Sequence, residues 1–514
     1  MTAGTMFTAS PSTSRRAGLS KSRLMAATQC MKRLYLEVHR PELRTIDASM
    51  QARFDAGNRV GEVARSFYPA GRLIGHSDNL RAALDETRAA LATQGDLILF
   101  EPAFECDGVL ARADILFRQR GRYRLIEVKS STSVKDDHLQ DAAIQAWVLE
   151  AAGCPPESVS IAVVDSSFVY PGNGNYRGLL KSVDVTAQIA DLRMRVPDLI
   201  AEAQRTLDGP EPELAVGKHC RSPYECPFLA HCDRDAPEFP LSILGRDWRL
   251  AERLAAMGYR DLRDVPDEAI GDGMPRRLWD ASRTGEVYID PSAGEALRRL
   301  PWPRYYLDFE TIAFAVPIWP GTRPYEQLPF QWSCHVEHAD GSVEHREFLD
   351  TSGDAPMAGC MKALISVVGT DGPIFAYSGF ENRVLREAAA RHPELQGALE
   401  GIGARIVDLL RIVKASYYHP EQKGSWSIKE VLPTVAPELG YDALGEVADG
   451  QAAQMAYLEM IDSKTMDGRK QALAFELRTY CANDTAGMIR IAAAIGMDSS
   501  VRFDRYRRHR GDAV

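Results

Sequence analysis

No run of apolar residues in this 514-residue chain approaches the ~18 that a membrane-spanning helix needs. The opening residues also lack the apolar core of a secretion signal. These absences lead us to expect a protein of the cytoplasm with no membrane partner. Cysteine is scarce, nine in all, and in that compartment the nine are not expected to pair as disulfides. Positive charge is in deficit, with 61 Lys and Arg against 71 Asp and Glu and a net charge of −10. That balance argues against a chain coated in nucleic acid, but leaves room for an enzyme that meets it through local basic strips. Acid is missing from residues 1–30, which hold Arg15, Arg16, Lys21 and Arg23, while Arg502, Arg505, Arg507, Arg508 and Arg510 crowd the other end. Each strip is read either as a phosphate contact or as a solvated tail. The Ser/Arg character of the first strip also imitates an organelle transit peptide, but Cys30 belongs to the first domain and counts against that. No G-x-x-x-x-G-K-[ST] phosphate loop occurs. What is present is 45% hydrophobic and 26% charged residues, over a length that suits about two to four domains.

The most informative stretch is VLARADILFRQRGRYRLIEVKSS, residues 109–131. Two apolar runs flank Gln119-Arg120-Gly121-Arg122, the pattern of a β-hairpin. A turn centred on Arg120-Gly121 pairs residues whose numbers sum to 241, which sets Asp114 opposite Glu127. Two carboxylates ~5 Å apart at Cβ repel, and a divalent cation between them removes the penalty. Lys129 shares a face with Glu127. Asp114 and Glu127 holding Mg²⁺ or Mn²⁺, with Lys129 steadying developing charge, is a constellation suited to phosphodiester hydrolysis. A surface hairpin with an ordinary salt bridge is the competing reading, but Ile115, Phe117, Ile126 and Val128 on the other face suggest a buried sheet. Before the hairpin, residues 19–41 read as one helix capped by Ser20, followed by helices near 50–67 and 79–92 and a strand at 96–102. After it come a helix at 136–153, carrying Gln140, Asp141, Gln145 and Trp147, and a strand at 160–164.

Cys220, Cys226 and Cys232 lie within GKHCRSPYECPFLAHC. Three cysteines so close together, with Pro223 and Pro227 between them, suggest metal ligation, and Cys30 is the candidate fourth ligand. Four thiolates suit an iron–sulfur cluster or a structural zinc; His219 and His231 leave a mixed zinc site open, and buried unligated thiols are the alternative. Cys106, Cys154, Cys334, Cys360 and Cys481 are read as small core residues.

In the second half, RYYLDFET reads as a strand with Asp308 and Glu310 on one face. Strands near 327–338 and 342–350 flank an Asp340-Gly341 turn. A strand at 373–377 then leads to Glu381 at the head of a helix. A helix at 469–495 carries Tyr480 and Asp484 one turn apart. Four acids can hold two Mg²⁺ about 4 Å apart for in-line attack on a phosphodiester. Asp408 is read as helix-start polarity, and Lys423 to Lys429, KGSWSIK, as a stretch that touches substrate or simply packs. Between the halves, LAERLAAMGYRDLRDVPDEAI reads as helix, Gly258 turn, helix, either a spacer or a phosphate-binding hairpin of helices.

These residues carry three resemblances. Cys30, Asp114, Glu127-Val128-Lys129, a Gln-bearing helix and the cysteine trio resemble the RecB-like branch of the PD-(D/E)XK nucleases, above all the CRISPR-associated RecB-like exonucleases and the nuclease subunits of bacterial recombination helicases. The resemblance implies a 4Fe–4S cluster on Cys30, Cys220, Cys226 and Cys232, metal on Asp114 and Glu127, and catalysis assisted by Lys129. It leaves the family glutamine as Gln140 or Gln145. Where that family often has a histidine after the second helix, this chain has Gly61. The D-x-E strand, Phe380-Glu381 and Tyr480-x-x-x-Asp484 resemble the DEDD exonucleases, implying metal on Asp308, Glu310, Glu381 and Asp484, with Tyr480 orienting the attacking water. The two halves together resemble the family described as domain of unknown function 2779.

The expected architecture is therefore α/β throughout. Residues 1–18 are a disordered tail and 19–235 a restriction-endonuclease-like mixed sheet with helices. A small helical linker module at 236–300, with a weak resemblance to a helix-hairpin-helix, precedes a ribonuclease-H-like domain at 301–497 and a basic tail at 498–514. The expected activity is metal-dependent nuclease, an exonuclease on DNA in repair or antiviral defence, with any unwinding left to a helicase partner. The alternative is that the first centre has decayed into a nucleic-acid-binding module and the second acts alone, on DNA or RNA.

Overall fold

A computed structural model describes residues 18–496 except 47, 77–78, 246 and 442–444; the expected tails at 1–18 and 498–514 lie outside the described residues, apart from Gly18. The chain is a mixed α/β protein with several mixed sheets. Contacts divide it into two units, Met1–Phe168 with Asn173–Arg234, and Val169–Gly172 with Asp235–Val514. Among the described residues no helix is long and apolar enough to cross a membrane.

The first unit is built on a six-stranded mixed sheet in the order Arg72–Leu73, Leu97–Phe100, Ile115–Gln119, Arg122–Lys129, Pro156–Val164 and Leu180–Asp184. Its central hairpin has the expected register, with Ile115 opposite Ile126 and Gln119 opposite Arg122. Arg120 and Gly121 both have positive φ, 49° and 76°, as a two-residue turn matching the strand twist requires. Ile115 and Phe117 are buried on one face with Phe100 and Ala64, and Ile126 and Val128 pack against them. Leu116 and Leu125 face the other way, into a core shared with Ile144, Ile161, Leu24 and Leu34. The Asp136–Ala151 helix is the crossover between the parallel strands Arg122–Lys129 and Pro156–Val164.

Two local expectations need correction. The apolar run entering the hairpin is not one strand. Val109–Arg112 pairs with Ala103–Cys106 and Leu19–Ser20 in a separate three-stranded sheet, so Asp114 lies where the chain passes from one sheet to the next. The first helix is also divided. Lys21–Gln29 and Met31–His39 are separated by Cys30, whose backbone is extended at φ −167° and ψ 123°. Ser20 does cap the first of them, accepting from the Arg23 N–H.

The second unit carries a five-stranded sheet in the order Val343–Leu349, Leu328–Glu337, Arg304–Ile312, Ile374–Ala376 and Ile406–Asp408. The first three strands are antiparallel neighbours; the last two join in parallel through helical connections. The Asp467–Ala494 helix packs on the Arg304–Ile312 and Leu328–Glu337 strands. Asp408 is the N-cap of the Leu409–Ser416 helix, accepting from Arg411 N–H at 3.0 Å, as its sequence position suggested.

Within the same unit, residues 236–300 differ from the expected helical pair. Trp248–Ala256 is a helix and Gly258 turns the chain at φ 94°. The next segment, however, forms only the 3-10 turns Leu262–Asp264 and Asp267–Ala269, and the following full helix is Met274–Thr284. Pro266 supplies the physical reason, because a proline inside that segment removes a helical donor. This stretch also does not merely link. Leu250, Leu254, Leu262 and Trp279 share a buried cluster with Tyr418, and Tyr288–Ile289 pairs with Tyr417–Tyr418. Gly424 seals the contact. Its φ is +80°, and a Cβ there would stand 2.2 Å from the Ile243 carbonyl oxygen. Gly424→Ala is accordingly expected to destabilise the chain by more than about 1 kcal/mol, measured as a lower urea midpoint at unchanged m-value.

The Leu328–Glu337 strand is buried along its whole length, and this includes a histidine. His335 is 2% exposed, with Nδ1 2.8 Å from Thr485 Oγ1 and its ring stacked on His345 at 4.5 Å. Burial, helped by His345, holds its pKa down to about 3. The imidazole is thus neutral when folded but titrates near its ordinary value when unfolded. Its stabilising effect is complete above the unfolded pKa and is lost as pH falls below it. Between pH 7.5 and pH 5 that loss is about 2 kcal/mol. Urea titrations at the two pH values should show a smaller acid penalty for His335→Gln than for wild type; equal penalties would contradict the assignment.

Candidate functional site

In the first unit, Glu127 is 2% exposed and fully engaged. Lys129 Nζ lies 2.8 Å and Lys21 Nζ 3.2 Å from Oε1, and Gln145 Nε2 donates to Oε2 at 2.6 Å. Gln145 also donates to Asp141 at 3.0 Å, so of the two candidate glutamines it is Gln145 that contacts the acidic cluster. Asp141 is ion-paired with Lys129 and, at 3.2 Å, with Lys21. Asp114 accepts from the Val128 N–H at 2.6 Å, so its carboxylate is fixed beside Glu127. Burial and then Glu127 push the Asp114 pKa well up, with Lys21 opposing. Burial alone would lower both lysines, but Glu127 and Asp141 outweigh it and hold them raised. Burial alone would raise Asp141, but Lys21 and Lys129 hold it far below the usual carboxylate range. A cleft of about 520 Å³ opens on Asp114, Glu127 and Lys129, with Gly57, Gly61 and Arg65 of the Ala48–Ser66 helix across it. Sequence reasoning missed Lys21 and Asp141 as members. The one-turn spacing of Asp141 and Gln145 could have signalled the second, whereas nothing local marks a lysine 106 positions from Glu127.

The four cysteines of the first unit come together. Cys30, Cys220, Cys226 and Cys232 line one small cavity with Leu36 and Phe228. Gln29 ties the helix break to the cysteine loop by donating to the carbonyls of His219 at 2.7 Å and Tyr224 at 2.8 Å. All four are free thiols. Burial raises the thiol pKa of Cys220 and Cys232, and that of Cys226 to about 11; Lys32 and Arg33 beside the cavity offset this for thiolates. The donor set fits a thiophilic metal group.

The second unit gathers Asp308, Glu310, Glu381, Tyr480 and Asp484. Asp308 and Glu310 project from the Arg304–Ile312 strand, whose register shifts immediately after Glu310, a bulge of the kind that re-aims side chains. Glu381 sits in the first turn of the Phe380–Arg391 helix, and Tyr480 and Asp484 come from the Asp467–Ala494 helix. Burial first, then mutual repulsion, raises these acids: Asp308 well above its ordinary value and Glu310 to about 8. Glu381 rises to about 7, chiefly by burial. Asp484 rises only to about 6, because Tyr441, Lys429 and Tyr480 oppose its burial. Tyr441, absent from the sequence-based set, donates its hydroxyl to Asp484. Lys429 acts on Glu310 and Asp484 from a short distance while its Nζ is anchored to the Ala448 carbonyl at 2.7 Å, so the KGSWSIK stretch does reach the site. Among the described residues, the group of three or more His, Cys, Asp and Glu ligand atoms lying within 4.8 Å of one another is Asp308, Glu310 and Cys481. A cleft of about 770 Å³ runs from Asp308 and Glu381 past Tyr377, Phe380 and Trp426 to Met274 and Leu278, so the module at 236–300 supplies part of its wall.

Comparison with known proteins adds little. No curated protein matches the chain. A solved structure titled "Crystal structure of SSO0001" is 14% identical over 43% of this chain and 89% of that one, at a TM-score of 0.22, which does not establish a common fold. The model of the family described as "Domain of unknown function (DUF2779)" matches residues 305–427, a span that includes Asp308, Glu310, Glu381 and Lys423 and stops short of Tyr480 and Asp484.

Proposed function

We propose that this chain is a metal-dependent nuclease hydrolysing phosphodiester bonds in DNA, with Asp308, Glu310, Glu381 and Asp484 as its principal centre. One observation carries the reading. Four carboxylates from three separate stretches face one another, and among the described residues no lysine or arginine is ion-paired with any of them. Such a site demands cations, and divalent Mg or Mn bound there would polarise a phosphate oxygen and acidify water. Tyr441 and Tyr480 hold Asp484 in orientation. The aromatic faces of Tyr377, Phe380 and Trp426 along the cleft offer stacking surfaces for bases, which suits a strand end entering toward Asp308. The strand order, an antiparallel trio followed by two parallel strands with the D-x-E strand at the centre, supports the ribonuclease-H-like reading of this unit, and the mixed sheet around Asp114 and Glu127 supports the restriction-endonuclease-like reading of the other.

In the first unit we propose a 4Fe–4S cluster on Cys30, Cys220, Cys226 and Cys232. A structural zinc on the same four thiolates is the alternative. Asp114, Glu127 and Lys129 form a second candidate hydrolytic centre. A specific observation favours a second reading there. Lys21 and Lys129 already neutralise Glu127 and Asp141, so this centre has less need of a cation and would bind nucleic acid rather than cut it. The test is hydrolysis of end-labelled single- and double-stranded DNA and RNA with Mg²⁺ or Mn²⁺ by wild type, Asp308→Asn and Glu127→Gln. If Asp308→Asn retains full activity on every substrate, the principal assignment is wrong; a loss with Glu127→Gln would show that the first centre also cuts.

A further inference from the structure

Cys481 is read from sequence as core filler, yet its side chain stands inside the carboxylate centre. It is fully buried, and its Sγ is 3.5 Å from Asp308 Oδ2. One ligand atom each from Asp308, Glu310 and Cys481 lies within 4.8 Å of the others. Glu310, 7% exposed, is buried against this group without an ion pair among the described residues. The separation is that of a thiol hydrogen bond from Cys481 to Asp308, and a shared metal ion would keep it. A tetrahedral ion with metal–sulfur near 2.3 Å and metal–oxygen near 2.0–2.2 Å holds its sulfur and oxygen about 3.5 Å apart. A hard octahedral ion such as Mg²⁺ takes oxygen ligands and has no use for a thiolate. We propose that Asp308, Glu310 and Cys481 form one mixed oxygen and sulfur site that also takes a thiophilic divalent ion of the zinc class, in competition with the Mg²⁺ or Mn²⁺ proposed for the carboxylates. On binding, the Cys481 S–H bond breaks, the proton passes to solvent, and the sulfur electron pair forms the metal–sulfur bond.

The inference concerns the same centre as the proposed nuclease activity but does not need that activity to be observed. Cadmium and zinc equivalents bound by the full-length chain would be counted by equilibrium dialysis, and the thiolate-to-cadmium charge-transfer absorption recorded, for wild type, Cys481→Ser and Asp308→Asn. The four-cysteine site contributes equally to all three, so differences report this one. The expected result is one equivalent and its charge-transfer intensity lost in Cys481→Ser, and cadmium affinity at this site weakened by about tenfold or more in Asp308→Asn, which keeps the thiol. Equal stoichiometry and identical spectra in wild type and Cys481→Ser would overturn the proposal, as would unweakened binding at this site in Asp308→Asn. Hydrolysis assays separate the two readings. A Cys481-dependent band without hydrolysis under any metal would remove the nuclease assignment and leave the site. Hydrolysis lost in Asp308→Asn, with cadmium binding indifferent to Cys481, would do the reverse.

Discussion

Asp308→Asn is expected to lower phosphodiester hydrolysis about a thousandfold or more, equivalent to roughly 4 kcal/mol of transition-state stabilisation. Asp308 is the acid on which the others converge: Asp484, Glu310 and Glu381 all act on it electrostatically, and it borders the long cleft together with Glu381. Asparagine keeps the shape and removes the charge that would hold a cation. The loss should therefore appear in kcat rather than in nucleic-acid affinity. The variant should fold at least as well as wild type, because a carboxylate whose folded pKa is pushed up by burial and like charges costs stability from the unfolded pKa upward, the cost being complete above the folded pKa. Loss of activity without loss of stability, read from single-turnover kinetics and a urea titration on the same preparation, separates a catalytic role from a structural one. A destabilised variant with unchanged kcat would point to packing.

The second large effect is expected in the other unit. If the four thiols hold the proposed cluster, Cys226→Ala should remove most of the bound metal and with it the cooperative unfolding of the first unit. A structural metal site of this kind contributes folding free energy on the order of 10 kcal/mol, comparable with the total stability of most domains. Around the four thiols the apolar packing is a small cluster of Leu36 and Phe228 with Tyr35, Leu43, Val216 and Leu229, so a metal held there would add substantially to what ties the cysteine loop to the Met31–His39 helix. Metal analysis and limited proteolysis check this directly: the variant should lose iron and be cut between residues 209 and 235, while the 301–497 region stays resistant. A variant that is as protected and as cooperative as wild type would show that the thiols are simply buried.

How far the sequence could be read depended on whether partners were close along the chain. The hairpin register followed from turn chemistry at Arg120-Gly121 and period-two patterning, both local, and they put Asp114 beside Glu127 before any tertiary information. The D-x-E face of Asp308 and Glu310 and the one-turn spacing of Tyr480 and Asp484 are legible for the same reason. Lys21, Tyr441 and Cys481 were not picked out, because each reaches its site through tertiary packing. Lys21 looked like part of a basic tail, Tyr441 lies in no periodic segment, and Cys481 has the spacing of a core residue. The break at Cys30 was missed because most residues around it favour helix; in the fold Gln29, beside the break, holds the distant carbonyls of His219 and Tyr224. The helix expected after Gly258 failed on Pro266, which local rules could have weighed more heavily.

The divided helix at Cys30 has a consequence for biosynthesis. Gln29 and His219, which join the two sides of the thiol cavity, are 190 positions apart. At about 5–20 residues per second, a ribosome takes on the order of 10–40 s to cover that span. Through that interval Cys30 has already been made and its three partner thiols have not. The cavity lined by Cys30, Cys220, Cys226 and Cys232 therefore cannot close until Cys232 has been made. If those thiols hold the proposed cluster, yield of the intact chain should respond to metal supply during translation more than to metal added after purification.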